Sequence, residues 1–204
     1  MSESLAPRQA TVHRKTAETD VRVTLRLDPQ TDDERAYSNA TGVGFLDHML
    51  DLFARHGRFG LDVTCDGDLH VDDHHTTEDV GIALGQALHR ALGDKGYVAR
   101  YGHAYVSMDE ALARAVVDLS GRFYLVFDAE FSRPTVGDLS TEMVSHFFYS
   151  MAEQAQVNLH IDLLRGTNAH HQVEAIFKAV ARALRVAVAR DSKGDRLPST
   201  KEAL

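Results

Sequence analysis

One cysteine in 204 residues excludes an intramolecular disulfide. That residue, Cys65, alternates with Phe59, Leu61 and Val63 as a buried strand residue would, and a lone thiol fits a reducing cytoplasm. No apolar run approaches the length of a membrane span, and residues 1–9 are polar, so neither a span nor a signal peptide is expected. A surplus of basic residues is also missing. Lys and Arg number 22 against 30 Asp and Glu, and the net charge of −8 argues against a dedicated nucleic-acid or anionic-membrane surface. What remains is an ordinary globular composition, 44% apolar and 25% charged, with one excess: twelve histidines.

Six of those histidines fall in a repeated pattern. His-His-x-x-Glu occurs as His74-His75-Thr76-Thr77-Glu78 and again as His170-His171-Gln172-Val173-Glu174, 96 residues later. A lone histidine precedes each copy at similar range: His48 lies 26 residues before His74, and His146 lies 24 before His170. The apolar pattern after each motif also stays in phase, with Ala83, Ala87 and Leu88 matching Ala179, Ala183 and Leu184. Two long copies, rather than many short ones, predict one closed domain built from two pseudo-symmetric halves. The halves run over about 10–95 and 96–190, followed by a polar tail over 191–204.

The same order of elements is expected in each half. Val21 to Leu27 alternates as a half-buried strand, and Glu34 to Asn39 reads as a second strand returning after a turn. Phe45 to Arg55 has helical spacing and ends near Gly57 as a C-terminal glycine. A strand over Phe59 to Cys65 and a helix over Thr76 to Leu92 complete the first half. In the second half, strands are expected over Tyr105 to Met108, Ala113 to Leu119 and Arg122 to Phe131, with Ser120-Gly121 as a hairpin turn. Helices over Thr141 to Gln156 and His170 to Arg190 flank a strand over Val157 to Leu163. The fold class is α+β: two fused repeats, each strands, helix, strand, helix, with the sheets packed on the helices.

On a helix Glu78 lies angularly between His74 and His75, so it can share an ion with either, whereas adjacent histidines point apart. Each His-His pair is therefore expected to be split between two ions. Six histidines and two glutamates supply four ligands to each of two ions, leaving two open positions on a six-coordinate metal. Nitrogen and oxygen donors without thiolate are compatible with several metals and favour Mn²⁺ over tetrahedral Zn²⁺ when six ligands are needed. One His-His-x-x-Glu alone would be an ordinary solvated helix start; its recurrence points to metal. His13, His56, His70, His89, His103 and His160 stand outside the pattern and read as surface or structural residues. A metal-dependent hydrolase and a non-catalytic metal-storage oligomer are the competing classes at this point.

Further motifs narrow the choice. Gly44-Phe45-Leu46-Asp47-His48-Met49-Leu50, Asp72-Asp73-His74-His75-Thr76-Thr77-Glu78-Asp79, Asp118-Leu119-Ser120-Gly121-Arg122, His170-His171-Gln172-Val173-Glu174-Ala175 and Pro198-Ser199-Thr200-Lys201 resemble, in order, the motif series of the imidazoleglycerol-phosphate dehydratases. The resemblance runs from about Thr11 to the C-terminus. It implies a monofunctional dehydratase of histidine biosynthesis and a 24-subunit homo-oligomer with active sites between subunits. It also implies two Mn²⁺ ions per site, held by His48, His74, His75, Glu78, His146, His170, His171 and Glu174. Substrate would be bound by Glu18, His48, Arg100, Arg122, Ser199 and Lys201, with Glu18 as proton shuttle and Glu174 beside it as the second catalytic carboxylate. The chemistry implied is stabilisation of a substrate imidazolate, expulsion of the neighbouring hydroxide through a diazafulvene, and loss of the next C–H proton. The Asp109-Glu110 pair could also face the site. In the tail, Ser199 and Lys201 are expected to close over the substrate phosphate.

Overall fold

Alternation along Thr19–Arg26 (β2) buries Thr19, Val21, Val23 and Leu25 on one face, and this strand organises the first half. The computed structural model describes residues 6–191. On one side β2 pairs antiparallel with β1 (Gln9–Lys15), and on the other with β4 (Gly60–Gly67). Beyond β4 lies β3 (Tyr37–Ala40), parallel to it, so the sheet order is β1-β2-β4-β3. Helix α1 (Gly44–Gly57) joins β3 to β4, and α2 (His74–Leu92) follows β4.

The second half repeats this plan. Strands β5 (Tyr101–Met108), β6 (Ala111–Asp118), β7 (Tyr124–Asp128) and β10 (Asn158–Arg165) form a sheet of order β5-β6-β10-β7, again with its outer strand parallel. Helix α3 (Glu142–Ala155) precedes β10, and α4 (Ala169–Ala187) follows it. Corresponding helices have equal lengths, 14 residues for α1 and α3 and 19 for α2 and α4. An extra hairpin, β8 (Thr135–Val136) with β9 (Leu139–Ser140), is inserted before α3.

Helix α2 lies on β1 and β2, while α4 lies on β5 and β6. Between these layers α1 meets α4 and α2 meets α3. The result is sheet, helices, helices, sheet, with each helix pair joining the two halves. Phe147 and Phe148 of α3 and Phe177 of α4 form fully buried ring contacts at 4.7–5.3 Å in this shared core. Helices α2 and α3 approach closely at Gly81 and Gly85. A Cβ on Gly85 would lie 2.4 Å from the Met151 carbonyl oxygen, closer than packing allows.

Four sequence expectations change. Strand β1 was not expected, because only Val12 of its seven residues is buried and the alternation carries no apolar signal. Residues 34–36 belong to a turn in which Arg35 N–H bonds the Thr31 and Asp32 carbonyls, so β3 starts later. Ser120-Gly121 is no hairpin turn. Strand β6 already has β5 and β10 as antiparallel neighbours, so the chain crosses to the far side of β10 and β7 pairs there in parallel. At the end of α1 the left-handed residue is Arg58 (φ 58°), not Gly57. Gly57 is instead required by contact, since a Cβ there would meet the Phe59 ring at 2.4 Å.

Candidate metal centre

All six histidines of the repeated pattern lie in the first two turns of the four helices: His48 on α1, His74 and His75 on α2, His146 on α3, His170 and His171 on α4. The inserted hairpin ties these helix ends together. Asp138 accepts from the Gly44 and Phe45 N–H groups at the start of α1 (2.6 and 2.9 Å), and Asp73 before α2 accepts from Ser140 N–H and Oγ (2.6 and 2.9 Å). Burial opposes ionisation of Asp138, but its backbone donors prevail and hold its pKa below the ordinary carboxylate value.

Because α1 pairs with α4 and α2 with α3, each histidine-glutamate group draws on both halves. His48, His170 and Glu174 form one triad, and His74, Glu78 and His146 the other, with the donor atoms of each within 4.8 Å of one another. Glu174 Oε2 lies 3.1 Å from His170 Nε2 and 3.6 Å from His48 Nε2. Glu78 lies 3.2 Å from His146 Nε2 through Oε1 and 3.8 Å from His74 Nε2 through Oε2. Neighbouring ligands of an ion with bonds of about 2.1 Å sit about 3 Å apart, so both triads fit a cation after small closure. His146 Nε2 adds a further sign: it is buried and, among the described residues, makes no hydrogen bond of good geometry although Glu78 Oε1 lies 3.2 Å away, and a cation would satisfy it. Glu78 thus stands beside His74 and His146, and Glu174 beside His170 and His48.

The two glutamates sit in different surroundings. Glu174 is 8% exposed and its Oε1 is paired with Lys178. Burial pushes its carboxyl pKa up, but Lys178, His170 and His48 outweigh that and leave it below the ordinary value. Glu78 is 34% exposed, and Ile82 occupies the position corresponding to Lys178.

His75 and His171 belong to neither triad. His75 Nδ1 is held by Asp68 and His171 Nδ1 by Glu110 at 2.8 Å. Glu18, in the β1–β2 turn, reaches within 3.7 Å of His75 Nε2, and Asp109, in the β5–β6 turn, within 3.8 Å of His171 Nε2. The Asp109-Glu110 pair thus does face this end of the molecule, and Asp68 is a functional candidate that the motif reading missed. No pattern could have found it, because its relation to His75 exists only after β4 folds beside α2.

Arg100 and Arg122 lie elsewhere. Arg100 precedes β5, is clamped by Asp118 (Nε–Oδ1 2.8 Å) and sits 4.7 Å over the Tyr101 ring. The exposed Arg122 follows β6, its carbonyl accepting from Asn158 Nδ2 at 2.7 Å. Asp109 stands at the opposite end of β5, an eight-residue strand of about 26 Å. A single chain therefore does not bring these arginines to its own triads. Ser199 and Lys201, with the tail over 192–204, fall outside the described residues. Cys65 takes no part; burial pushes its thiol up to about 11.

A duplicated α+β chain with two His₂Glu triads across its internal pseudo-symmetry defines a narrow class of candidate metalloprotein. The sequence profile of imidazoleglycerol-phosphate dehydratase matches residues 41–184. The chain is 61% identical to the imidazoleglycerol-phosphate dehydratase of Salinibacter ruber over 98% of both proteins, and 55% identical to that of Hydrogenovibrio crunogenus over 97% of this chain and all of the relative. Its structure resembles the crystal structure of the Staphylococcus aureus dehydratase with a TM-score of 0.80 at 43% identity, covering 89% of this chain and 99% of that one. This chain belongs to the imidazoleglycerol-phosphate dehydratase family and is a hydro-lyase. Among the described residues, no helix is long and apolar enough to cross a membrane.

Proposed function

We propose that the protein dehydrates imidazoleglycerol phosphate to imidazole-acetol phosphate in histidine biosynthesis, using two Mn²⁺ ions in each active site formed between subunits of a homo-oligomer. The 24-subunit assembly implied by resemblance is the form we assign to it. One observation carries this reading: each triad holds three donors, while His75 and His171 keep their Nε2 atoms outside both. A neighbouring subunit's His75 and His171 would complete four protein ligands per ion, leaving two positions of a six-coordinate metal for substrate. The distance from Arg100 and Arg122 to the triads of their own chain supports the same arrangement, with the phosphate held by a different subunit from the one supplying a triad.

The two triads, with His75 and His171, would hold the ions, which would supply Lewis acidity favouring loss of the ring proton and departure of the neighbouring hydroxyl. The half-exposed Glu18, on a turn beside His75, takes the C–H proton that becomes acidic next. Glu174, buried and paired with Lys178, stays ionised and holds His48 and His170 in place. Arg100, fixed by Asp118, and Arg122 present guanidinium groups to the phosphate, with Ser199 and Lys201 from the tail. The donor set contains no thiolate, which suits Mn²⁺, and a free Cys65 suits the cytoplasm.

The test is an assay of Mn²⁺-loaded protein on imidazoleglycerol phosphate, with light scattering before and after chelation. Turnover by a large particle that shrinks without metal is the expected result. Metal binding without turnover would instead indicate the storage oligomer, and turnover by a monomer would refute sites between subunits.

A further inference from the structure

The two histidines outside the triads are held by the same device, built from unrelated parts of the chain. In the first half Asp68 follows the end of β4, its N–H donating to the Glu18 carbonyl at 3.1 Å. Its carboxylate oxygens lie 3.0 and 3.2 Å from His75 Nδ1. In the second half Glu110 sits in the β5–β6 turn, with Oε2 2.8 Å from His171 Nδ1. Its Oε1 accepts from the Thr167 and Asn168 N–H groups at 3.1 and 2.8 Å, which anchors it to the loop before α4. An ionised carboxylate can only accept. Each Nδ1 therefore carries the proton, and in the neutral ring the lone pair resides on Nε2.

These anchors are not repeat equivalents. Strands β2 and β6 begin at Thr19 and Ala111, and β4 and β10 at Gly60 and Asn158, so the counterpart of Glu110 is Glu18 and that of Asp68 is Gly166. The two halves thus reach the same Nδ1 geometry by different routes, as a shared chemical requirement would produce. We propose that Asp68 and Glu110 are positioning residues that fix the Nδ1–H tautomer of His75 and His171 and so present Nε2 as a preformed ligand for a divalent cation. This rests on the metal role of the two histidines proposed above. Carboxylates behind metal-bound histidines act in this way by orienting the ring and raising its basicity.

The experiment titrates Mn²⁺ alone into metal-free, full-length protein by calorimetry, with thermal unfolding of each metal-free variant as the folding control. Asp68→Ala and Glu110→Ala should each lower Mn²⁺ affinity about 10- to 100-fold. Asp68→Asn and Glu110→Gln keep an acceptor for Nδ1–H and should recover most of it. The deciding readout is a double-mutant cycle. Asp68→Ala should cost nothing further in a His75→Ala background, yet exert its full effect in a His171→Ala background. Should Glu110→Ala fail to fold for want of its loop bonds, the Asp68 cycle decides by itself, because among the described residues the Asp68 carboxylate bonds no backbone group. An unchanged affinity in Asp68→Ala, or an equal loss with and without His75, would overturn the positioning role. If wild-type protein bound no Mn²⁺, the metal reading would fall and this inference with it. If His75→Ala lost affinity while Asp68→Ala did not, only the inference would fall.

Discussion

The two triads have the same three candidate ligands and different electrostatics. Around Glu174 the charge is already balanced by Lys178, and the carboxylate is buried with only Oε2 turned to the histidines. Around Glu78 no lysine intervenes among the described residues, the carboxylate is a third exposed, and each oxygen faces one histidine. A cation entering the Glu78 triad meets a net negative site; one entering the Glu174 triad meets a nearly neutral one. Duplication has kept the donors while letting the surroundings diverge. The two ions should therefore differ in affinity, with the Glu78 triad loading first.

The strongest way to break this comparison is to remove each glutamate in turn. Glu78→Gln and Glu174→Gln should each reduce turnover by more than the about 10- to 100-fold expected for losing an outer-shell partner. Elemental analysis should show one ion lost per chain in each case. Full metal content in either variant would remove that triad from the metal reading.

Lys178→Met addresses the difference itself. It leaves a buried carboxylate without its cation, which should cost the metal-free protein about 3 kcal/mol. Adding Mn²⁺ should restore much of that stability, and the two steps of a Mn²⁺ titration should draw together. Two steps as widely spaced as before would mean that Lys178 does not set the difference.

A smaller effect concerns the helix pairs that carry the triads. Gly85→Ala forces a methyl against the Met151 carbonyl and should cost about 1–3 kcal/mol. Ala181→Gly, at the corresponding position of α4, creates no clash and should cost roughly 1 kcal/mol through helix propensity. Only the first should lower metal affinity, because it pushes α2, with His74 and Glu78, away from His146. Equal losses of affinity would show that the close crossing is not what sets the Glu78 triad.

The smallest effect is a change of slope with pH. In metal-free protein, hydrogen bonds donated to Asp68 and Glu110 raise the pKa of His75 and His171 above 6.5. Their contribution to stability is present below that value and lost as pH rises through the raised ones. Glu110 is held at about 2 by His171 and the Asn168 and Thr167 N–H groups, so its contribution is present above 4.5 and lost as pH falls toward 2. Metal ligation requires unprotonated rings, so with Mn²⁺ the sign reverses between about pH 6 and 8. Melting temperatures in that range should fall with pH without metal and rise with it. Parallel slopes would argue against ligation by these histidines.

The helices and the buried strands were legible because each carries a periodic apolar face of its own. Val21, Val23 and Leu25 announce β2. Strand β1 offers only Val12 and is a strand because β2 completes its hydrogen bonds. Ser120-Gly121 has hairpin chemistry, yet the neighbouring positions on β6 were taken, a fact that no window of sequence contains. Asp68 and Glu110 were illegible as a pair for a related reason: they occupy non-equivalent positions and converge only in function.

The amino-acid sequence alone establishes the duplication, the α+β class and the identity of the eight metal-capable residues, since all of these are recorded in spacing along the chain. The pairing of α1 with α4 and of α2 with α3 is a product of folding, because it follows from burying two helical layers between two sheets. That pairing divides the candidate ligands into two triads, each drawn from both halves, and leaves His75 and His171 outside both on carboxylate anchors. Local periodicity reports which face of an element is apolar; which other face it meets is settled only when the whole core packs.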